Sequence, residues 1–203
     1  MGGMLVWING PFGGGKTATA YELHRRLPGS AVCDPAHVGF GMRRMLPATL
    51  RGSFQDLPPW RHSVTELLRL TLTAYTGPVI VPMTLVDHGH FQEIIGGLRG
   101  DGFVVHHFTL LAEAATVRRR LARRSLGTEA RQGSWAVKPL SDSLQRLSAP
   151  EFAQHIHTDP LAVSQVADTI ASSAGLMVTP STDGPLRASL RRYATTIRHI
   201  RFG

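Results

Sequence analysis

Residues 4–17 read MLVWINGPFGGGKT, and this stretch decides the fold. The short apolar run MLVWI (4–8), followed by a glycine-rich turn, is typical of a buried parallel strand. Residues 10–17 fit the pattern G-x-x-x-x-G-K-[ST] completely, and a helical pattern follows them. The sequence therefore predicts a phosphate-binding loop made of Gly10, Pro11, Phe12, Gly13, Gly14, Gly15, Lys16 and Thr17.

Each residue type in this loop has a physical role. The glycines let the backbone wrap around phosphates and point N–H groups at them, and the helix N-terminus adds partial positive charge. Lys16 would reach the β- and γ-phosphates, and the Thr17 hydroxyl would hold Mg²⁺. The loop thus predicts a nucleoside triphosphate and Mg²⁺ as cofactors.

Hydrophobic periodicity predicts alternating strands and helices. Apolar runs indicate strands over 4–8, 30–33, 79–81, 103–111 and 152–158, the last more polar and so expected at a sheet edge. Helical patterns cover 17–27, 35–46, 60–75, 90–100, 113–126, a piece near 142–148, and 160–173, where Asp159-Pro160 would cap the helix. In the first helix the predicted inward positions are Ala18, Tyr21, Leu23 and Leu27. This alternation predicts a three-layer α/β fold with a parallel sheet.

Composition bounds the remaining possibilities. The chain has 203 residues, a net charge of +8 and one cysteine, and it shows no apolar run of membrane-spanning length and no signal-peptide pattern. We expect one domain over 1–182 with a lid at about 113–147, in a reducing cytoplasm. Nucleic acid is not expected as a partner, because aromatic residues do not interleave with the arginines.

The segment 183–203 is predicted to be a basic, amphipathic C-terminal helix. Its apolar stripe fits docking on the domain, and its arginines fit peripheral contact with an anionic membrane. Both interpretations remain open.

The class of nucleotide-binding protein follows from motifs that the sequence lacks. It contains neither N-K-x-D nor D-x-x-G, which guanine-specific GTPases use, and the small-molecule kinases remain. Such an enzyme needs a carboxylate near the acceptor hydroxyl and arginines near the phosphates. Asp34, at the end of the second predicted strand, fits the first role, although Asp followed by Pro also fits a helix N-cap. Arg120 and Arg124 lie four apart on one helix face and fit the second role, or a solvated surface.

The third predicted strand is not followed directly by an acidic residue, where such proteins often hold a metal ligand. Asp87 lies a little downstream. We expect Mg²⁺ to be held mainly by Thr17, phosphate oxygens and water, with Asp34 or Asp87 acting through water.

With these features placed, the sequence resembles the tunicamycin-resistance ATP-binding proteins of bacteria. The resemblance rests on VWINGPFGGGKTATAYELHRRL (6–27), DPAHVGFGMRRMLP (34–47), FQDLPPWR (54–61), VIVPMTLVD (79–87) and FTLLAEAATVRRRLARR (108–124). It implies a P-loop kinase-like fold of the nucleoside and small-molecule kinase type, with strand order 2-3-1-4-5. The implied activity is ATP-dependent phosphorylation of a hydroxyl of a tunicamycin-like nucleoside antibiotic, and the alternative is ATP-gated binding that sequesters the drug.

The resemblance also directs attention to segment 41–60 as the part of the chain that shapes the acceptor pocket. Its expected polar or stacking contacts are Arg43, Arg44, Gln55, Asp56, Trp60 and Arg61.

Overall fold

The computed structural model describes residues 3–125 and 140–180, apart from the side chains of residues 123–125. The strands are β1 (Met4–Asn9), β2 (Ala31–Val32), β3 (Val79–Pro82), β4 (Val104–Leu111) and β5 (His155–His157). The helices are α1 (Lys16–Arg26), α2 (Ala36–Met45), α3 (Pro58–Ala74), α4 (His88–Phe91), α5 (Gly97–Gly100), α6 (Ala114–Ser125), α7 (Leu140–Leu147) and α8 (Val163–Ser173). A π-helical turn (Gln92–Gly96) joins α4 to α5, and short 3-10 turns cover Ala48–Leu50, Phe54–Asp56 and Pro150–Phe152.

The five strands form one parallel sheet in the order β2-β3-β1-β4-β5. The predicted α/β class and the strand order are therefore confirmed. The short, polar β5 lies at an edge as expected, and β1 lies at the centre, so the phosphate loop leaves the middle of the sheet.

Alternation along β1 sends side chains into two separate hydrophobic layers. Leu5 and Trp7 pack on the face covered by α2 and α3, and Val6 and Ile8 pack on the face covered by α1 and α8. All four side chains are fully buried. A parallel strand covered on both faces must be apolar at every position, which is why MLVWI reads as a continuous run.

The helix after the phosphate loop, α1, is fastened by a buried charge. Arg26 is 2% exposed, and it donates to the Thr179 carbonyl at 2.7 Å and pairs with Asp168 of α8. The sequence predicted an inward face of Ala18, Tyr21, Leu23 and Leu27. Ala18 and Tyr21 are only partly buried, whereas Thr19, Ala20 and Arg26 are buried, because α1 packs against both the sheet and α8.

The start of α8 differs from the prediction. This helix begins at Val163, and the Gln165 side chain accepts a hydrogen bond from the Ala162 N–H at 2.8 Å. Asp159 does not cap α8; its carboxylate accepts from the Glu113 N–H at 3.1 and 3.2 Å. The Asp-Pro pair thus ties the end of β5 to the start of α6.

Two predicted segments lie wholly or partly outside the described residues. They are the C-terminal helix over 183–203 and the middle of the lid over 126–139. The proposed membrane contact therefore stays a prediction from sequence. Within residues 3–125 and 140–180, the helices are too short or too polar to cross a bilayer.

The contact between α2 and the turn Phe54–Asp56 depends on one glycine. A Cβ built on Gly39 would lie 2.5 Å from Cγ of Phe54, so the helix backbone rests directly on this ring. Phe54 is 2% exposed and packs against Trp60 with a ring-centroid distance of 5.3 Å. Gly39 therefore lets α2 approach the core that supports one side of the cavity described below.

Two glycines of α2 make a matched test of this packing. Gly39→Ala should lower the free energy of unfolding by about 1–3 kcal/mol, because the added methyl meets the buried Phe54 ring. Gly41→Ala should raise it by about 0.5–1 kcal/mol, because nothing lies within 4 Å of a Cβ there and alanine favours the helix. Urea unfolding of both variants checks the pair, and equal effects would contradict the packing argument.

Candidate active site

A cavity of about 310 Å³ opens at the carboxyl edge of the sheet. One side is formed by the phosphate loop, with Lys16 and Thr17 among its lining residues. Asp34 lies between β2 and α2 and lines the same cavity. The opposite side is largely apolar and is lined by Ala36, Phe40, Phe54, Met83 and Val86, with the polar residues Ser53, Gln55, Asp56 and Thr84.

The phosphate loop has a positive φ, which favours glycine, at three positions, and the first is Gly10 with φ +145°. Gly13 has φ +80°, and a Cβ there would lie 2.8 Å from Cγ of Leu121 on α6. Gly15 has φ +98° and is the N-cap residue of α1. These glycines let the chain turn sharply into the helix, so that backbone N–H groups and the N-terminus of α1 face the cavity.

Lys16 is the first residue of α1, and its Nζ donates to the Pro11 carbonyl at 2.9 Å. The ammonium group is therefore folded back over its own loop. Because Lys16 also lines the cavity, a phosphate group bound there would exchange this carbonyl for an anionic oxygen.

The loop is fixed at its first residue by the fully buried Asn9 side chain. Asn9 Oδ1 accepts from the N–H groups of Gly10 (2.8 Å) and Leu85 (2.9 Å). Its Nδ2 donates to the Leu85 carbonyl at 2.9 Å and lies 3.2 Å from Nε2 of His107. One amide thus joins the end of β1 to the segment after β3 and to β4.

His107 must be neutral to take part in this arrangement. Nδ1 lies 3.2 Å from the Ala153 carbonyl, which can only accept, so the proton sits on Nδ1 and Nε2 accepts from Asn9. Burial is the main cause that lowers the pKa of His107; the hydrogen bond to the Ala153 carbonyl raises it, Arg99 and His155 lower it, and the result is a pKa of about 4. At neutral pH the ring therefore acts as an uncharged link.

The predicted carboxylates lie in different places. Asp34 lines the cavity, and its Oδ1 also accepts from the Ala36 N–H at 3.0 Å at the start of α2. Asp87 does not line the cavity; its Oδ1 accepts from the His90 N–H at 3.0 Å and caps α4. Of the two carboxylates considered for the metal shell, the structure brings Asp34 to the phosphate loop.

The six predicted acceptor contacts divide into two groups. Gln55 and Asp56 line the cavity, whereas Arg43, Arg44, Trp60 and Arg61 do not. Trp60 is fully buried, and its Nε1 donates to the Pro35 carbonyl at 3.1 Å. Arg61 is also buried and donates to Glu93 at 2.6 Å and to the Gln55 carbonyl at 2.8 Å. These two side chains support the cavity wall from behind.

The predicted phosphate-binding arginines lie on α6. Arg120 donates through its guanidinium to Oγ1 of Thr158 at 3.1 Å and to the Thr158 carbonyl at 3.0 Å, just after β5. The side chain of Arg124 lies outside the described part of the molecule. A phosphate contact by either arginine stays a prediction.

The sequence did not identify several cavity residues. Thr84 follows β3 at the carboxyl edge, and its hydroxyl donates to the Gly10 carbonyl at 2.8 Å. Pro82, Leu121 of α6, and Leu140 and Ser143 of α7 also line the cavity. The position of Thr84 after a buried strand was the one available signal, since ligands bind where parallel strands end.

Comparison with known proteins shows the family and the fold of this chain. A family model described as an AAA domain matches residues 5–148. The Deinococcus radiodurans tunicamycin resistance protein is 36% identical, with a TM-score of 0.73, over 87% of this chain and 99% of that one. The Mycobacterium tuberculosis APS kinase, solved with AMPPNP and APS, is 17% identical with a TM-score of 0.57, over 84% and 96% of the two chains. A shikimate kinase from Acinetobacter baumannii is 16% identical with a TM-score of 0.53, over 83% and 91%. No curated protein matched the chain.

The two kinases show the fold alone, which is the P-loop kinase-like fold, and the family model places the chain in the AAA domain family. The likeness to the Deinococcus protein is far greater and covers almost all of that protein. The chain belongs to the tunicamycin-resistance protein family.

Lys16 gives a direct test of the phosphate loop. Lys16→Ala should weaken ATP binding about 10- to 100-fold, since a charged hydrogen bond contributes about 1.5–3 kcal/mol. Arg43→Ala is the control, because it removes one cation from a residue that does not line the cavity. Calorimetric titration with ATP checks both variants, and equal affinities would remove Lys16 from the nucleotide site.

The buried His107 predicts a pH dependence of stability. Its pKa is near 6.5 in the unfolded chain and about 4 in the folded protein, so the unfolded state binds the proton more readily. The contribution of neutral His107 to the free energy of unfolding is therefore complete above about pH 6.5. It falls by about 3 kcal/mol as the pH drops to 4. Urea unfolding across this range should show a flatter dependence for His107→Gln and the wild-type dependence for the control His106→Gln. An unchanged slope in His107→Gln would contradict the assignment.

Proposed function

We propose that this protein is an ATP-dependent phosphotransferase that phosphorylates a hydroxyl group of a tunicamycin-like nucleoside antibiotic. The observation that carries the proposal is that Lys16, Thr17 and Asp34 line one cavity. The cavity continues past them to Gln55 and the aromatic residues Phe40 and Phe54, which leaves room for an acceptor beside the phosphates. The family relationship supports the antibiotic as that acceptor.

The proposed roles follow from the chemistry of each group. The loop N–H groups and Lys16 bind the β- and γ-phosphates and offset the charge that develops during transfer. Asp34 accepts the proton of the acceptor hydroxyl while the hydroxyl oxygen bonds to the γ-phosphorus. The bond between the γ-phosphorus and the oxygen that bridges it to the β-phosphorus breaks, and ADP is released. The products are the phosphorylated drug and ADP.

The donor set of the cavity fits magnesium. Thr17 supplies a hydroxyl oxygen and Asp34 a carboxylate, and both line the cavity beside the phosphate loop. Hard oxygen donors with room for water are what Mg²⁺ prefers. When bound with ATP, the ion would neutralise phosphate charge.

A second candidate function is ATP-gated binding of the drug without phosphoryl transfer. The contact that favours it is the hydrogen bond from the Ala36 N–H to Asp34 Oδ1, which gives this carboxylate a structural role as a helix cap. A residue needed as a cap would remain even in a protein that only sequesters its ligand.

Asp34→Asn separates the two functions. Asparagine can still accept from the Ala36 N–H, but it cannot take the proton of a hydroxyl group. The variant should fold, bind ATP at least as well as the wild type, and lose about 100-fold or more of its phosphoryl transfer. The measurement is mass spectrometry of tunicamycin incubated with Mg²⁺-ATP and protein, looking for a species heavier by one phosphoryl group.

The control is Asp56→Asn, which removes the other acidic side chain of the cavity lining. It should keep transfer within about tenfold of wild type, because it is not the proposed base. Resistance in a sensitive host and direct drug binding are measured alongside. Retained drug binding with lost resistance in Asp34→Asn supports the kinase, whereas full resistance in that variant, with no phosphorylated drug from the wild type, supports sequestration.

A further inference from the structure

A continuous chain of hydrogen bonds connects the two sides of the cavity. Gln55, on the acceptor side, donates through Nε2 to the Thr84 carbonyl at 3.0 Å. Thr84 in turn donates through its hydroxyl to the carbonyl of Gly10, the first residue of the phosphate loop, at 2.8 Å. Thr84 thus bonds both halves of the cavity. It holds the Gln55 side chain in the acceptor half, which residues 53–56 line, and the Gly10 backbone in the phosphate half, which the phosphate loop lines.

The acceptor end of this chain is held in place by the buried Arg61, which pairs with the exposed Glu93. The Gln55 carbonyl accepts from Nη1 of Arg61 at 2.8 Å, and Nε of Arg61 donates to Glu93 at 2.6 Å. The carbonyl of Thr84 needs a donor, so the amide nitrogen of Gln55 must face it. The amide orientation is therefore fixed, with Nε2 facing the Thr84 carbonyl.

The phosphate end is held just as firmly. Gly10 donates its N–H to Asn9, which also bonds both backbone groups of Leu85, the residue after Thr84. Thr84 consequently cannot shift along the chain independently of the phosphate loop. A displacement of Gly10 would move the Thr84 hydroxyl and, through the Thr84 backbone, the Gln55 side chain.

We propose that Thr84 is a positioning residue that couples nucleotide binding at the phosphate loop to the orientation of Gln55 in the acceptor half. The inference rests on the proposed function in placing a nucleotide at the phosphate loop. It does not require that a phosphoryl group be transferred.

The test follows the side-chain amide of Gln55 by ¹⁵N–¹H NMR while Mg²⁺-AMPPNP is added to the full chain without drug. The Gln55→Glu variant identifies the resonance by its disappearance. In the wild-type protein the Gln55 amide should shift on saturation with AMPPNP. The amide of Gln165, whose side chain bonds the Ala162 N–H on α8, is the internal control and should stay still.

Two substitutions of Thr84 test the hydroxyl itself. Thr84→Val keeps the shape and the carbonyl but loses the bond to Gly10, so the Gln55 shift at saturating AMPPNP should fall by at least half. Thr84→Ser keeps the hydroxyl and should restore the shift, which loss of packing alone would not explain. Thr71→Val is the matched control, since the Thr71 hydroxyl also bonds a backbone carbonyl, that of Leu67, on the exposed face of α3.

A second measurement covers the case in which Thr84→Val fails to fold. Because coupling is reciprocal, Gln55→Leu, which breaks the chain from the acceptor side, should weaken AMPPNP binding at least fivefold. Gln92→Leu, the same substitution at an exposed glutamine that does not line the cavity, should not weaken it. The proposal is overturned if Gln55 does not respond to AMPPNP in the wild type, if Thr84→Val responds like the wild type, or if Gln55→Leu binds AMPPNP with wild-type affinity. Drug phosphorylation is measured separately, so its failure bears on the proposed function and not on this coupling.

Discussion

The side chain of Asn9 is the contact on which the geometry of the site depends. It ends the central strand β1 and, without any exposure to solvent, satisfies Gly10, both backbone groups of Leu85 and the ring of His107. An amide buried without partners would destabilise the fold, whereas one with every donor and acceptor used specifies a single arrangement. The end of β1, the segment after β3 and β4 are thereby held at fixed distances from one another. The first residue of the phosphate loop therefore has a fixed position.

The parallel sheet explains why the chemically useful residues meet. Lys16, Asp34 and Thr84 follow three different strands, and all parallel strands end at one edge of the sheet. The helices on both faces leave a crevice there, which is the cavity. Its acceptor half rests on the buried side chains of Trp60 and Arg61, and Arg61 pairs with the exposed Glu93. Core residues therefore support this side of the cavity.

Patterns that repeat along the chain predicted the fold well. The burial and roles of residues that depend on tertiary contacts were harder to predict from the sequence. The apolar run of β1, the phosphate-loop spacing and the polar edge strand each follow from a local rule, and each was confirmed. Arg26 could not be placed from periodicity, because its burial depends on Asp168 and Thr179 far along the chain. Trp60 and Arg61 were predicted as ligand contacts because aromatic and charged residues often have that role. Their partners, the Pro35 carbonyl and Glu93, are distant in sequence and no local pattern reveals them.

The division between supporting and lining residues has a consequence for how ligand preference could change within this fold. A substitution at Trp60 or Arg61 would leave a buried hydrogen-bond partner unsatisfied and so act mainly on stability. Asp56 lines the cavity from an exposed position, so a substitution there can alter the ligand at smaller structural cost. Gln55 belongs to both groups, since its carbonyl and amide nitrogen form hydrogen bonds that hold the frame while the residue also lines the cavity. A substitution at Gln55 that alters the ligand would therefore also remove a hydrogen bond to Thr84, and through Thr84 it would affect the phosphate loop.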